Sequence, residues 1–221
     1  MAWRDVPGSI RKGRLFSAAA RAGVFARLDS QTYKNESIRL IDIIEKNAKT
    51  RKPCITPDGY LVSMTADVAV AGGRVGDCDQ SKWIDALTAP AIVLPKNSQF
   101  FTFGIGKRSL VVALSSRPAH RTVFGIVGDI GPAKEIGEAN IAMNRELNGL
   151  AASDQPKHRQ DAIDRFQAGR SAILLFPGPD FVLDRPISGS RIAREGAEAM
   201  TAFGSAQKLI DCIHEEIDRG F

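Results

Sequence analysis

Between residues 60 and 130 the chain runs through five short apolar segments, each cut off by turn-forming residues and none separated from the next by a helical pattern. They are YLVSMTADV at 60–68, AIVLP at 91–95, FFTFGI at 100–105, SLVVAL at 109–114 and TVFGIVGDI at 122–130. Apolar runs of this length, rich in Val, Ile and Phe and bounded by Gly, Pro, Ser or Asp, are the pattern of β-strands. A doubly wound parallel sheet needs a helical crossover between successive strands, and none fits in these gaps. The expectation is therefore an α+β, strand-rich fold whose mostly antiparallel sheet curls into a small β-barrel with flanking helices.

The flanks read differently. ESIRLIDIIEKNAK at 36–49 places Ile38, Leu40, Ile41 and Ile44 near one another at helical spacing. EANIAMNRELNGL, from residue 138, reads as a helix with Glu138 in its first turn and Asn148-Gly149 as its stop. Ile141, Ala142 and Arg145 are expected on alternating faces of it. Residues 151–170 are polar and read as an exposed loop, and SAILLF at 171–176 reads as a strand ended by Pro177-Gly178-Pro179. Met200, Phe203, Gln207, Ile210, Ile213 and Ile217 recur every three or four residues and describe one amphipathic helix that covers a side of the barrel.

Length and charge narrow the classes. A chain of 221 residues suits one domain, 1–221, able to bury roughly 70% of its unfolded surface. The net charge of +5 favours an anionic partner, but the Lys and Arg residues are scattered and no aromatic platform accompanies them, so nucleic acid is not expected. No apolar run approaches the roughly 20 residues that cross a bilayer. Near the N-terminus, Arg14, Arg21 and Arg27 interrupt the apolar stretches before a cleavable signal core develops, which implies export by an effector-type route or else a cytoplasmic protein. Cys54, Cys78 and Cys212 form no C-x-x-C pair and no zinc spacing; they allow at most one disulfide and suit a reducing compartment better than a stapled secreted fold. His120, His158 and His214 are isolated. FGIGKRS at 103–109 lacks the glycine spacing of a phosphate loop and reads as a hairpin turn, so neither a metal nor a cofactor is expected.

The chemistry concentrates in GDIGPAKEIGE at 128–138. Asp129 closes a strand and Glu138 opens the next element, with Gly131, Pro132 and Gly137 keeping the backbone between them close and stiff. A structural reading is open: Asp129 capping a turn, and Glu138 complementing a helix dipole. The functional reading is a pair of carboxyl groups across a gap the size of a sugar ring. Glycoside cleavage needs one protonated carboxyl for the leaving oxygen and one ionised carboxylate to activate water or attack carbon.

Several stretches resemble glycoside hydrolase family 75, the chitosanases. YLVSMTADV, DQSKWIDALTAPAIVLP and VFGIVGDIGPAKEIGEANIAMNRELNGL follow one another as in that family, and LLFPGPDFVLDRPIS and AFGSAQKLIDCI resemble its closing segments. The resemblance covers about residues 23–213, and the aspartate-to-glutamate block is its most specific part. It implies a compact, double-psi-like barrel core and an endo-acting, inverting glycosidase without a cofactor. Asp129 takes the position of the general base and Glu138 that of the general acid. The family's D-x-D-G segment has as its counterpart here only Asp29, in FARLDSQTY, with no glycine after it.

The polymer is a separate question. Chitosan is a polycation, whereas peptidoglycan has similar β-1,4-linked amino sugars and carries carboxylates that attract a basic protein. Cell-wall glycan is thus an alternative substrate, as the target of a bacterial effector toxin whose secretion or immunity partners the sequence does not identify. A non-catalytic glycan-binding barrel, using the two carboxylates as ligands for sugar hydroxyls, is the alternative from another class.

Overall fold

A computed structural model of the chain describes residues 45–52, 54, 62, 76–115, 121–131, 138–156, 159–169 and 171–218. Five strands form one sheet: β1 (Ala91–Pro95), β2 (Leu110–Ser115), β3 (Thr122–Gly131), β4 (Glu138–Ala139) and β5 (Ser171–Leu175). The sheet is curled, as a half-barrel, in the order β4-β1-β3-β2-β5. The fold is α+β as expected, but the sheet is mixed. β3 lies between β1 and β2, parallel to the first and antiparallel to the second. Consequently 103–109 is not a hairpin turn, because the strands on either side of it are not neighbours.

Apolar patterning explains the centre of this sheet. Every residue of AIVLP and LVVALS is buried, as required of strands covered on both faces. One face packs with Ala91, Leu110, Val112, Leu114 and Ile126 against α3 (Gly189–Phe203) and α4 (Ala206–Asp218), through Ile192, Ala199, Met200 and Leu209. The other packs with Ile92, Leu94, Val111, Ala113, Val123 and Val127 against Met143 and Leu147 of α1 (Ile141–Leu147). Each fully buried Val or Ile side chain contributes about 1.5–3 kcal/mol relative to an exposed one. The central strands therefore dominate the apolar stabilisation.

Several expectations require correction. Residues 100–105 are not a strand: a 3-10 helix spans Gln99–Phe103, opened by Ser98, whose side chain accepts from the Phe100 amide, and closed by Gly104 at φ 76. A cap on each side of five residues wins over their β-propensity. The stretch 151–170 is not simply an exposed loop, because it contains α2 (Arg159–Phe166), which buries Phe166. The single C-terminal helix is two, broken at Gly204-Ser205, where the Ser205 hydroxyl accepts from the Lys208 amide at 3.0 Å and starts a new helix. Ile141, Ala142 and Arg145 do not alternate in exposure; all three are buried, and the Arg145 guanidinium donates through Nη1 to the Leu87 carbonyl at 2.8 Å.

The expected helix at 36–49 lies mostly outside the described residues, as does the strand expected at 60–68 except for Val62. At 45–50 the chain is not helical. The Glu45 amide donates to Val62 at 2.9 Å, its carbonyl accepts from the Cys54 amide at 2.8 Å, and Asn47 Oδ1 caps a turn by accepting from the Lys49 and Thr50 amides. Cys54 and Cys78 form a disulfide, while Cys212 is free and exposed. No helix among the described residues is long and apolar enough to cross a membrane.

Candidate functional site

Asp129 and Glu138 stand on different strands with one strand between them. Val93, in β1, is in register with Asp129 of β3 on one side and with Glu138 of β4 on the other. Laterally paired residues point to the same face of a sheet, so both carboxyl groups rise on the face that carries Val93. Two strand spacings separate their backbones by about 9.5 Å.

Strict alternation would not place Asp129 there. Val127 faces the α1 side of the sheet, and a residue two positions later should face the same way. The pairing shifts between Ile92 and Val93: Ile92 meets Val127, but Val93 meets Asp129, which leaves Gly128 as an extra residue. This β-bulge turns Asp129 onto the Glu138 face. Gly128 is also the residue for which β1 leaves no room, because a Cβ there would stand 2.7 Å from the Ala91 Cβ.

Asp129 is fixed by two donors to one oxygen. Its Oδ1 accepts from the Ile130 amide at 2.8 Å and from Lys107 Nζ at 3.2 Å; Oδ2 takes part in neither bond. The Asp129 side chain is 17% exposed, reachable but mostly enclosed. Lys107 comes from the turn that leads into β2, held by bonds from the Arg108 amide to Val127 and from the Leu183 amide to Arg108.

Glu138 is not in a helix. It lies three residues before the start of α1, on the short strand β4, and the helix begins only after Asn140. Asn140 determines this arrangement and is buried. Its Oδ1 accepts from the Ala91 amide at 3.1 Å and the Met143 amide at 3.0 Å, and its Nδ2 donates to the Ala89 carbonyl at 2.7 Å. One side chain thus caps α1 and ties β4 to the start of β1. From β4 the Glu138 carboxylate reaches back over Val93: its Oε2 lies 3.6 Å from the point where a Cβ on Gly131 would stand. That Cβ would also come within 2.8 Å of Val93 Cγ1, so only glycine at 131 lets β3 pack this closely beside Val93 and Glu138. Pro132 and Gly137 lie outside the described residues, as does Asp29.

A second acidic group has a different character. Glu45 is fully buried and saturated with donors: Oε1 accepts from Lys82 Nζ at 2.6 Å and from the Gly76 and Cys78 amides at 2.7 and 3.2 Å, and Oε2 from Trp83 Nε1 at 2.7 Å. Lys82 also pairs with Asp77. Burial pushes the Glu45 carboxyl upward, but Lys82, Trp83 and the two amides outweigh it and hold it below the usual carboxylate range. Burial works against the Lys82 charge in the same way, and Asp77 and Glu45 overcome it, so its pKa is raised. A carboxylate sealed from solvent and fully bonded has no position left for substrate; this cluster ties the disulfide-bearing segment to the chain ahead of β1.

Asp129 and Glu138 thus stand on one face of the sheet, on either side of Val93, which is itself buried. Three determinants of this placement, Lys107, Gly128 and Asn140, were not among the residues singled out in the sequence. Only Asn140 had a readable signal, an N-cap residue type just before a periodic apolar run. No protein-family model matches the chain, and no curated protein matches it. Among the described residues, no group of three or more His, Cys, Asp or Glu side chains is assembled that could hold a metal ion.

Proposed function

We propose that the chain is an endo-acting, inverting glycoside hydrolase that cleaves β-1,4 linkages in an amino-sugar polysaccharide of the chitosan type. The observation that carries the reading is the placement of Asp129 and Glu138 on one face, on either side of Val93. Their backbones are two strand spacings apart, about 9.5 Å, and the Glu138 side chain leans toward β3. Inverting enzymes hold their carboxyl groups about 6.5–9.5 Å apart, so that water fits opposite the leaving group. The resemblance to glycoside hydrolase family 75 supports the same assignment, and the double-psi-like closure of the barrel belongs to this proposal.

In the proposed reaction Asp129 accepts a proton from water as the water oxygen bonds to the anomeric carbon. Glu138 gives its proton to the glycosidic oxygen as the bond from carbon to that oxygen breaks. The step leaves Asp129 protonated and Glu138 ionised, and exchange with solvent restores both.

Hydrolysis of chitosan oligomers and of purified peptidoglycan, with the anomer of the fresh reducing end followed by NMR, tests the proposal. The expected product is the α-anomer, and Asp129→Asn and Glu138→Gln each lower turnover by at least about a thousandfold with the fold intact. Retention of the β-anomer, or undiminished turnover in either variant, refutes the assigned roles. Tight binding of glycan without turnover would instead identify a non-catalytic binding protein.

A further inference from the structure

We infer that the disulfide between Cys54 and Cys78 is a latch set by oxidation: closed, it holds the limb bearing Glu45 against the chain ahead of β1, and reduced, it releases that limb while the sheet stays folded. The inference goes beyond the glycosidase reading and does not depend on it. Two limbs meet at this point. On the first, the Cys54 amide donates to the Glu45 carbonyl at 2.8 Å, and the Glu45 and Val62 amides donate to the Val62 and Cys54 carbonyls at 2.9 and 3.1 Å. On the second, Gly76, Cys78, Lys82 and Trp83 supply the four donors to the Glu45 carboxylate. Between them the Ala48 amide donates to the Gly76 carbonyl at 2.8 Å, and Asn47 Nδ2 donates to Cys78 Sγ at 3.7 Å. The cystine joins the limbs across 24 positions of chain.

Little else of an apolar kind holds the junction. Its cluster among the described residues is Cys54, Val62 and Trp83 with Cys78 packed against them, so half of it is the cystine itself. That cluster shares no residue with the two that cover the sheet, whereas the next residue, Ile84, belongs to the core on the α3 side. The buried pair of Glu45 and Lys82 adds little net attachment, because water solvates both charges once the limbs part and the cost of desolvating them offsets most of their attraction. The covalent link remains, and closing a loop of this length favours the joined state by on the order of a hundredfold. Without it the first limb opens as a local unit, and the boundary falls between Trp83 and Ile84. A dithiol reductant performs the release. As the S–S bond breaks, each cysteine sulfur gains one electron and one proton, and the dithiol, losing two of each, becomes a disulfide. A chain made in a reducing cytosol therefore carries this limb free, and oxidising surroundings set it.

The test uses the full chain carrying Cys212→Ser, which removes the exposed free thiol, first oxidised with glutathione disulfide and then reduced with dithiothreitol. Trypsin probes the junction, because the Lys82 side chain is 2% exposed and its ammonium is held by Glu45 and Asp77 in the closed form. Hydrogen exchange followed by mass spectrometry reports on the sheet. After oxidation, Cys54 and Cys78 are expected to resist alkylation. Reduction should raise the rate of cleavage after Lys82 at least about tenfold, while the amides of β1, β2 and β3 keep their protection. The Cys54→Ala/Cys78→Ala double variant should be cut at the reduced rate with or without dithiothreitol. Equal cleavage in the two states, loss of sheet protection on reduction, or alkylation of Cys54 and Cys78 after oxidation overturns the inference. None of these outcomes touches Asp129 or Glu138, so the glycosidase reading stands or falls separately.

Discussion

Asn140→Ala removes one side chain and opens three bonds at once. The Ala91 and Met143 amides lose their shared acceptor and the Ala89 carbonyl loses its donor, at a residue 1% exposed. Loss of an N-cap costs about 0.5–2 kcal/mol, and a buried polar group left unsatisfied about 1–3 kcal/mol. Because the shorter side chain admits some water and the losses overlap, we expect about 2–4 kcal/mol in total. For a domain of this size that lowers Tm by roughly 5–15 °C. Chemical denaturation followed by tryptophan fluorescence, with the slope held equal to that of the wild type, gives the value directly. A loss below about 1 kcal/mol for Asn140→Ala would refute the argument that this amide ties β4 and α1 to β1.

Two further outcomes are expected. Gly128→Ala brings a methyl group within 2.7 Å of the Ala91 Cβ and should destabilise by about 1–3 kcal/mol; adding Ala91→Gly should recover most of that loss, and additive effects in the double-mutant cycle would show that the two positions do not meet. The lowered pKa of Glu45 means that its ion cluster stabilises the fold above the ordinary Glu value of about 4.3 and loses that contribution as pH falls through the folded-state value. The raised pKa of Lys82 gives the opposite limb, with stability lost as pH rises through its folded-state value. Glu45→Gln should therefore cost about 3 kcal/mol at neutral pH and flatten the acid limb of stability against pH, and an acid limb of unchanged slope in that variant would count against the cluster.

Strand positions were largely legible in the sequence, and strand neighbours were not. AIVLP is β1 residue for residue, and β2, β3 and β5 fall within one residue of their apolar runs. Such runs record burial, which is local, whereas the insertion of β3 between β1 and β2 depends on long-range pairing that no local pattern records. The short helix at 99–103 was hidden because Phe and Thr favour strands, and the caps at Ser98 and Gly104 decided otherwise. At the site, the residue types of Asp129 and Glu138 were informative, but their relation to each other was not. Alternation along VFGIVGD predicts the wrong face for Asp129, and Glu138 reads as helical because an N-terminal acid suits a helix dipole. Lys107 could not be found in this way, since a lysine in a turn is ordinary until folding brings it to Asp129.

Val93 makes the spacing of the two acids independent of the chain that joins them. Nine positions along the chain part the two acids, but the distance between them is measured across the ladder, by the width of a single intervening β-strand. Hydrogen bonding keeps that width nearly constant, whatever the segment at 132–137 contains. A change of length or sequence at 132–137 therefore leaves the spacing of the two carboxyl-bearing strands as it is.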